Sequence, residues 1–312
     1  MAKVSICVPT YNNVGEVDRL LQSIVEQDYT DYEVHISDDS TNDEIAELVQ
    51  NYQQADLTGK LKYVHNEKPL GHIYNWNAAI QMATGEYIKI MFSDDWFTFP
   101  DSLRKLVELL DKNLQAKLAF CGSRQVMLDD SAVTSVHNQN LGQAYDRHAS
   151  DAFIERLRAD YRNLFLGNEI GAPSAVMYRR TDNLYLFDEQ SNWASDMFIY
   201  FDILQENPQF AYTCEPLISI GMHENQYTEM FTERDMRIYQ DYRYLYTKYE
   251  LWKSENCRTY FSENFLVKYR QGIKETVALQ IELSRFVKGW IRELRDTIRC
   301  FIGSKLGRRQ QG

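Results

Sequence analysis

The chain is poor in the features that would make it a secreted, zinc-bound or membrane-spanning protein. Its five cysteines (Cys7, Cys121, Cys214, Cys257 and Cys300) are odd in number, widely spaced and never paired as C-x-x-C. That pattern excludes a disulfide framework and a structural zinc site, and it suits a reducing compartment. No run of 18 apolar residues occurs, and no signal peptide precedes the first strand, which begins at about Lys3. Neither export by a visible signal nor a bilayer span is therefore expected. Internal repeats and low-complexity linkers are also missing. Positive charge is scarce over most of the length. The net charge is −11, yet residues 285–312 carry eight Lys/Arg against two Asp/Glu, or +6, which leaves −17 on the rest. An acidic body of that kind repels nucleic acid, so a polynucleotide partner is excluded.

What is present describes an ordinary globular protein. At 312 residues, with 44% hydrophobic and 25% charged residues, the chain can form one large α/β domain with a helical part appended. The 21 tyrosines suit stacking or hydroxyl-rich ligands and prove neither. Strand and helix patterns alternate through the first half. Strands are predicted at residues 4–8, 33–36, 62–65 and 87–92, separated by amphipathic stretches such as Val17, Leu20, Leu21, Ile24 and Val25. This order predicts a mostly parallel sheet with helices on both faces. A helix follows Pro100, and another strand lies near residues 118–120. An irregular stretch from 149 to about 228 holds a helix at 152–157, a strand at 175–178 and a helix opening at Asn192-Trp193-Ala194-Ser195-Asp196. Beyond Tyr227 the pattern is helical.

Polar residues cluster just past the carboxyl ends of successive predicted strands: Pro9-Thr10-Tyr11, Asp38-Asp39, Asn66 and Ser93-Asp94-Asp95. Ligands of open α/β sheets bind along that edge. Adjacent carboxylates at a strand exit repel unless a cation lies between them. A hard divalent ion completed by substrate phosphates, Mg²⁺ or Mn²⁺, fits the Asp94-Asp95 pair. Each cluster also has a plainer reading. Asp38-Asp39 and Ser195-Asp196 can cap the helices that follow, Asp94-Asp95 can be a loop, His223 can be a solvated loop histidine, and Trp193 can be a packing residue.

In order and spacing, residues 3–228 resemble the inverting glycosyltransferases of family 2. Val4-Ser5-Ile6-Cys7-Val8-Pro9-Thr10-Tyr11-Asn12 resembles the opening strand and nucleotide-contacting turn. Ile36-Ser37-Asp38-Asp39-Ser40 resembles the second signature, and Gly85-Glu86-Tyr87-Ile88 through Asp94-Asp95 the approach to the D-x-D-type metal motif. Trp76 stands where the family often has Arg, and Ser195-Asp196 where it usually has Glu-Asp. The resemblance implies a GT-A fold over residues 1–228, with a nucleotide-sugar half (1–120) and an acceptor half (121–228), followed by a helical extension (229–312). It implies Mn²⁺ or Mg²⁺ as cofactor. Pro9, Thr10, Tyr11, Asp39, Asn66 and Asp94 would hold the nucleotide, and Asp95 and His223 the metal. Trp193 and Ser195 would line the acceptor side, with Asp196 as general base. The expected partners are a nucleotide-sugar donor, UDP-hexose or dTDP-rhamnose, and a saccharide or lipid-linked acceptor for surface polysaccharide. A sugar-1-phosphate nucleotidyltransferase would carry a Gly-rich basic loop after the first strand, which Pro9-Thr10-Tyr11-Asn12-Asn13 is not. A non-catalytic sugar-nucleotide-binding protein is the remaining alternative.

The tail has its own pattern. On a helical wheel Leu283, Phe286, Val287, Trp290, Ile291, Leu294, Ile298, Phe301 and Ile302 share one face, and Arg285, Lys288, Arg292, Arg295 and Arg299 the other. A basic amphipathic helix over 283–306 reads as an interfacial contact with the inner face of a membrane, which would place the chain on the cytoplasmic side. The alternatives are packing on the acidic body or a dimer contact. The oligomeric state is not set by the sequence.

Overall fold

The computed structural model describes residues 2–128, 143–223, 230–232 and 234–308, with side chains up to residue 295. The chain divides into two compact units. The first comprises Met1–Tyr161, Asn168–Ser191 and Ser195–Met230; the second comprises Arg162–Gly167, Asn192–Ala194 and Phe231–Gly312.

The first unit is built on one mixed sheet. Its leading half alternates β1 (Val4–Thr10), α1 (Val14–Val25), β2 (Tyr32–Asp38), α2 (Glu44–Gln54), β3 (Leu61–His65), α3 (His72–Gln81) and β4 (Tyr87–Ile90). Strands β3, β2, β1 and β4 lie side by side and parallel. Every residue of β1 and β2 is buried, as expected of strands covered on both faces. Helix α1 turns Val17, Leu20, Leu21 and Ile24 onto this sheet, each fully buried. Burial of such side chains stabilises the fold by about 1.5–3 kcal/mol apiece.

The second half adds β5 (Asp95–Phe97), α4 (Ser102–Lys112), β6 (Leu118–Met127), β7 (Ala144–Arg147), α5 (Asp151–Ala159), β8 (Val176–Arg179), α6 (Ser195–Glu206) and β9 (Phe210–Met222). The sheet order is β3-β2-β1-β4-β8-β6-β9-β5, with β7 on β6. Here antiparallel pairs prevail: β4 with β8, β8 with β6, β6 with β7, and β9 with β5; only β6 and β9 run parallel. Strands β5, β7 and β9 are not apparent in the sequence pattern. Strand β9 contains Pro216, which lies beside the register shift at Cys121, Gly122 and Ser123 of β6. An irregularity of this kind is where a strand tolerates a residue with no N–H to donate.

The second unit is helical: α7 (Met236–Lys248), α8 (Glu255–Phe261), α9 (Ile273–Ala278) and α10 (Leu283–Arg308), with one π-helical turn at Ser262–Leu266. Its centre is aromatic. The rings of Tyr242 and Phe265 stack at 4.1 Å between centroids, those of Tyr246 and Phe261 at 4.8 Å, and Phe165 joins both pairs. Much of the tyrosine content is thus spent on packing. Among the described residues no helix is long and apolar enough to cross a membrane.

Candidate active site

Strand register brings the polar clusters together. Thr10 of β1 pairs with Asp38 of β2, and Asp38 with His65 of β3, so the three carboxyl ends finish level. Cys7 pairs with Ile90 and its carbonyl accepts from Met91 N–H, which carries β4 to the same edge before the turn at Ser93-Asp94-Asp95.

The two carboxylates of Asp38-Asp39 have different partners. Asp38 closes its own turn, accepting from Ser40 N–H at 2.8 Å and from the Tyr63 hydroxyl at 2.7 Å. Asp39 is buried and points along the sheet edge. Its Oδ1 accepts from Asn66 Nδ2 at 2.8 Å, and its Oδ2 accepts from Gly71 N–H at 2.9 Å. Gly71 is the residue before α3 and has φ +90°, a conformation glycine adopts without strain. A carboxylate at this helix start also complements the positive end of the helix dipole. Asn75 of α3 donates to Thr10 O at 3.1 Å and completes the ring of contacts. Pro9 is buried within β1, whereas Tyr11 is 54% exposed beside this group.

Asn13, which the sequence reading passed over, links this group to the Asp94 turn. Its Oδ1 accepts from the Thr10 hydroxyl at 2.6 Å, and its Nδ2 donates to Glu16 at 2.7 Å and to the Ser93 hydroxyl. Glu16 and Arg19 follow at three-residue spacing on α1, a one-sided polar pattern that could have been found in the sequence. His223 Nε2 lies 3.6 Å from Asp94 Oδ2 and 3.8 Å from Glu16 Oε1. Burial pushes the Glu16 carboxyl up, reinforced by Asp94 and opposed by Asn13, His223 and Arg19. Burial lowers the Arg19 guanidinium, which Glu16 and Asp94 hold up and which lies over the Trp96 ring at 4.8 Å.

Asp95 is 3% exposed at the start of β5, and its Oδ1 has no hydrogen-bond partner. Burial drives its carboxyl well up, and Asp94 adds to this; Ser174, Lys89 and the Gly221 N–H pull the other way. Lys89 is fully buried on β4, with Nζ donating to Ile90 O at 3.0 Å and to Ser174 O. Burial lowers its ammonium to about 7. The Ser174 hydroxyl accepts from Phe92 N–H at 3.0 Å. A Cβ on Gly221 would overlap the Asp94 carbonyl oxygen, so β9 approaches this turn closely.

An unpaired buried carboxylate oxygen is costly and calls for a partner. Among the described residues no three His, Cys, Asp or Glu side chains gather into a cage. Without such a cage, a cation at this turn would take one or two oxygens from the Asp94-Asp95 pair and complete its shell from a phosphate-bearing ligand.

Asp196, in the first turn of α6, has a separate set of partners. Its Oδ2 accepts from Asn168 Nδ2 at 2.6 Å and its Oδ1 from Met197 N–H at 2.8 Å. The Asn168 amide is itself oriented, because its Oδ1 accepts from Ile170 N–H and Gly171 N–H at 3.0 and 3.3 Å. Ser195 is buried and bonded to Ser191 at 2.9 Å, which leaves Asp196 as the more open member of the pair. Trp193 is half-buried with its ring 6.3 Å from that of Tyr242. Its N–H, with those of Asn192 and Ala194, donates to Asp241, a buried carboxylate that fixes the turn before α6. Trp76 packs between Phe92 and Phe187, with ring centroids 4.9 Å from each.

Known proteins resemble this chain in sequence and in fold. The chain is 35% identical over 203 residues to the putative colanic acid biosynthesis glycosyl transferase WcaA of Escherichia coli, covering 65% of this chain and 66% of WcaA. It is 31% identical over 179 residues to the abequosyltransferase RfbV of Salmonella typhimurium, covering 57% of this chain and 53% of RfbV. The matches thus span between about half and two thirds of these two relatives. The fold is that of S. aureus TarS 1–349 in complex with UDP-GlcNAc, with a TM-score of 0.62 at 19% identity over 95% of this chain and 81% of that one. It is also that of the mannosyltransferase PcManGT from Pyrobaculum calidifontis in complex with GDP-Man and Mn²⁺, with a TM-score of 0.59 at 17% identity over 98% and 80%. These structures identify the architecture as GT-A, with a C-terminal helical part. The sequence model for Glycosyl transferase family 2 matches residues 5–183, more than half of the chain, and this protein belongs to that family.

Proposed function

We propose that this chain transfers a sugar, with inversion, from a nucleoside diphosphate sugar to a hydroxyl of a saccharide or lipid-linked saccharide, in the assembly of a surface polysaccharide on the cytoplasmic side. The observation that carries this reading is the level sheet edge, where Thr10, Asp39 and Asn66 stand beside the Asp94-Asp95 turn. Residues 1–120 would hold the donor and 121–228 the acceptor, with 229–312 as the helical extension. A second oxygen lone pair on Asp39 would accept the N3–H of a uracil or thymine, and the exposed Tyr11 ring would lie against the base. Thr10, Asn66 and Asp94 would line the ribose. Asp95, with Asp94 and His223, would hold Mn²⁺ or Mg²⁺. The ion would neutralise charge on the departing diphosphate. Asp196 would take the proton from the acceptor hydroxyl as its oxygen bonds to the anomeric carbon, and the electron pair of the broken C–O bond would leave with the diphosphate. The hydrogen bond from Asn168 would hold that carboxylate in one orientation.

Calorimetry of UDP, dTDP, GDP and CMP, each with and without Mn²⁺, tests the donor side. Binding of UDP or dTDP that requires Mn²⁺, and that Asp39→Ala and Asp95→Asn both abolish, is the expected result. Absence of binding by all four, with or without metal, would overturn the assignment.

A further inference from the structure

Helix α10 is two-faced in sequence, and the structure divides its part up to residue 295 into three stripes. One side packs on the second unit. Phe286 is buried there, and a Cβ on Gly289 would press on Val267, next to the π-helical turn at Ser262–Leu266. Turned by about a third of the helix circumference, a second stripe is apolar and exposed. Leu283, Val287, Trp290, Ile291 and Leu294 are each between 40% and 61% exposed. The third stripe holds Arg285, Lys288, Arg292 and Arg295. Arg285 is bonded to Glu255 and Glu282, and Arg292 to Glu263. Lys288 and Arg295 form no ion pair with a described side chain. Of the apolar face seen in the sequence, only Phe286 is buried against the protein itself; the side chains of Ile298, Phe301 and Ile302 lie outside the described residues.

A contiguous apolar stripe of this kind is rare on a surface that stays in water. Charge selects what covers it. A second copy of the helix would bring its own +6 segment alongside Lys288 and Arg295, and like charges would meet. A bilayer with anionic lipids satisfies both exposed stripes together. Acyl chains would take the leucines, isoleucine and valine, phosphates would take Lys288 and Arg295, and the amphipathic Trp290 ring suits the boundary between them.

We infer that α10 docks this chain on an anionic membrane surface, lying in the interface with Leu283, Val287, Trp290, Ile291 and Leu294 inserted and Lys288 and Arg295 on the headgroups. This docking stands on α10 alone and is independent of the proposed transfer reaction.

Cosedimentation of the full chain with phosphatidylcholine vesicles, with and without 30% phosphatidylglycerol (about one anionic lipid in three), tests it. The wild type should bind the anionic vesicles at least about tenfold more tightly than the neutral ones, and should release them as NaCl rises from about 0.1 to 0.5 M. Leu294→Glu should weaken binding by at least about tenfold. Leu294 is 61% exposed, so the circular dichroism and melting temperature of that variant should match the wild type. Vesicles with brominated acyl chains should quench tryptophan emission in the wild type and much less in Trp290→Phe. Failure to bind any vesicle would overturn the inference. If the chain is then a dimer in sedimentation equilibrium that Leu294→Glu splits, the stripe is covered by a second copy. Equal binding to neutral and anionic vesicles, or binding that Leu294→Glu leaves intact, would overturn it as well.

Discussion

Replacing Asp39 with asparagine keeps the size of the side chain and removes its charge and one of its two acceptors. In the wild type Oδ1 serves Asn66 and Oδ2 serves Gly71, at 2.8 and 2.9 Å. An amide cannot serve both, because its NH₂ must face one of two N–H donors. If the amide turns its oxygen to Gly71, Asn66 must reverse and give up its contacts to Ser37 Oγ and Asn75 Oδ1, both at 3.3 Å. If it turns its oxygen to Asn66, the Gly71 N–H is left without an acceptor. Either way about one hydrogen bond to a charged group is lost, roughly 1.5–3 kcal/mol. Loss of the carboxylate at the start of α3 adds about 0.3–1 kcal/mol. Asp39 is 3% exposed, so water does little to relieve either loss. Urea unfolding of Asp39→Asn should therefore show a midpoint lowered by the equivalent of about 2–4 kcal/mol with an unchanged slope. UDP affinity in Mn²⁺ should fall at least about tenfold, the equivalent of about 1.4 kcal/mol, since a neutral amide would replace the charged acceptor proposed for the base N–H. An unchanged midpoint would refute the hydrogen-bond reasoning. A lowered midpoint with wild-type UDP affinity would make Asp39 a structural residue only.

Asp196→Asn should keep UDP affinity within about twofold and lower kcat by about 10²–10⁴, the range for loss of a general base; wild-type turnover would reject the assignment. Gly221→Ala forces a methyl onto the Asp94 carbonyl oxygen. Overpacking of this kind should destabilise the fold by about 1–3 kcal/mol and weaken Mn²⁺ binding, read by thermal melts and metal titration. Glu33 gives a pH signature. Burial pushes its carboxyl up, but bonds from Thr84, His35 and Ser5 outweigh this and hold it far below the usual 4.5. With the folded value depressed, the stabilisation is complete above about pH 4.5 and is lost as pH falls further. The stability gap between wild type and Glu33→Gln should be constant from about pH 5 to 8 and shrink below about pH 4.5; a gap that persists unchanged to about pH 3 would contradict this.

The leading half of the fold was legible because buried parallel strands and amphipathic helices write different periods into the sequence. Strands 1 to 4 and helices α1 to α3 all lie where that period places them. The second half is harder to read. Strands β5 and β7 are three and four residues long, below what periodicity resolves, and Pro216 and Gly221 break the pattern of β9. Candidate site residues at strand ends were visible as polar interruptions of apolar runs. Residues that act through partners were not. Asn13 reads as a turn asparagine, Lys89 as a polar residue in a strand, and Asn168 as part of a loop. Their meaning depends on what the sheet sets beside them. Asn13 reaches Ser93 across 80 residues, and Lys89 reaches Ser174 across 85.

Lys89 gives this site a reporter of its own. Burial lowers the ammonium of this lysine to about 7, and the side chain is sealed from solvent beside the Asp94-Asp95 turn. An amine-acylating reagent can reach it only while the contact with Ser174 is broken. The rate of labelling at Lys89, set against that of exposed lysines such as Lys112 in the same mass spectrum, thus measures how often the floor of the site opens. A ligand that braces this floor should slow that one acylation and leave the others unchanged, so a single lysine can record occupancy without any turnover.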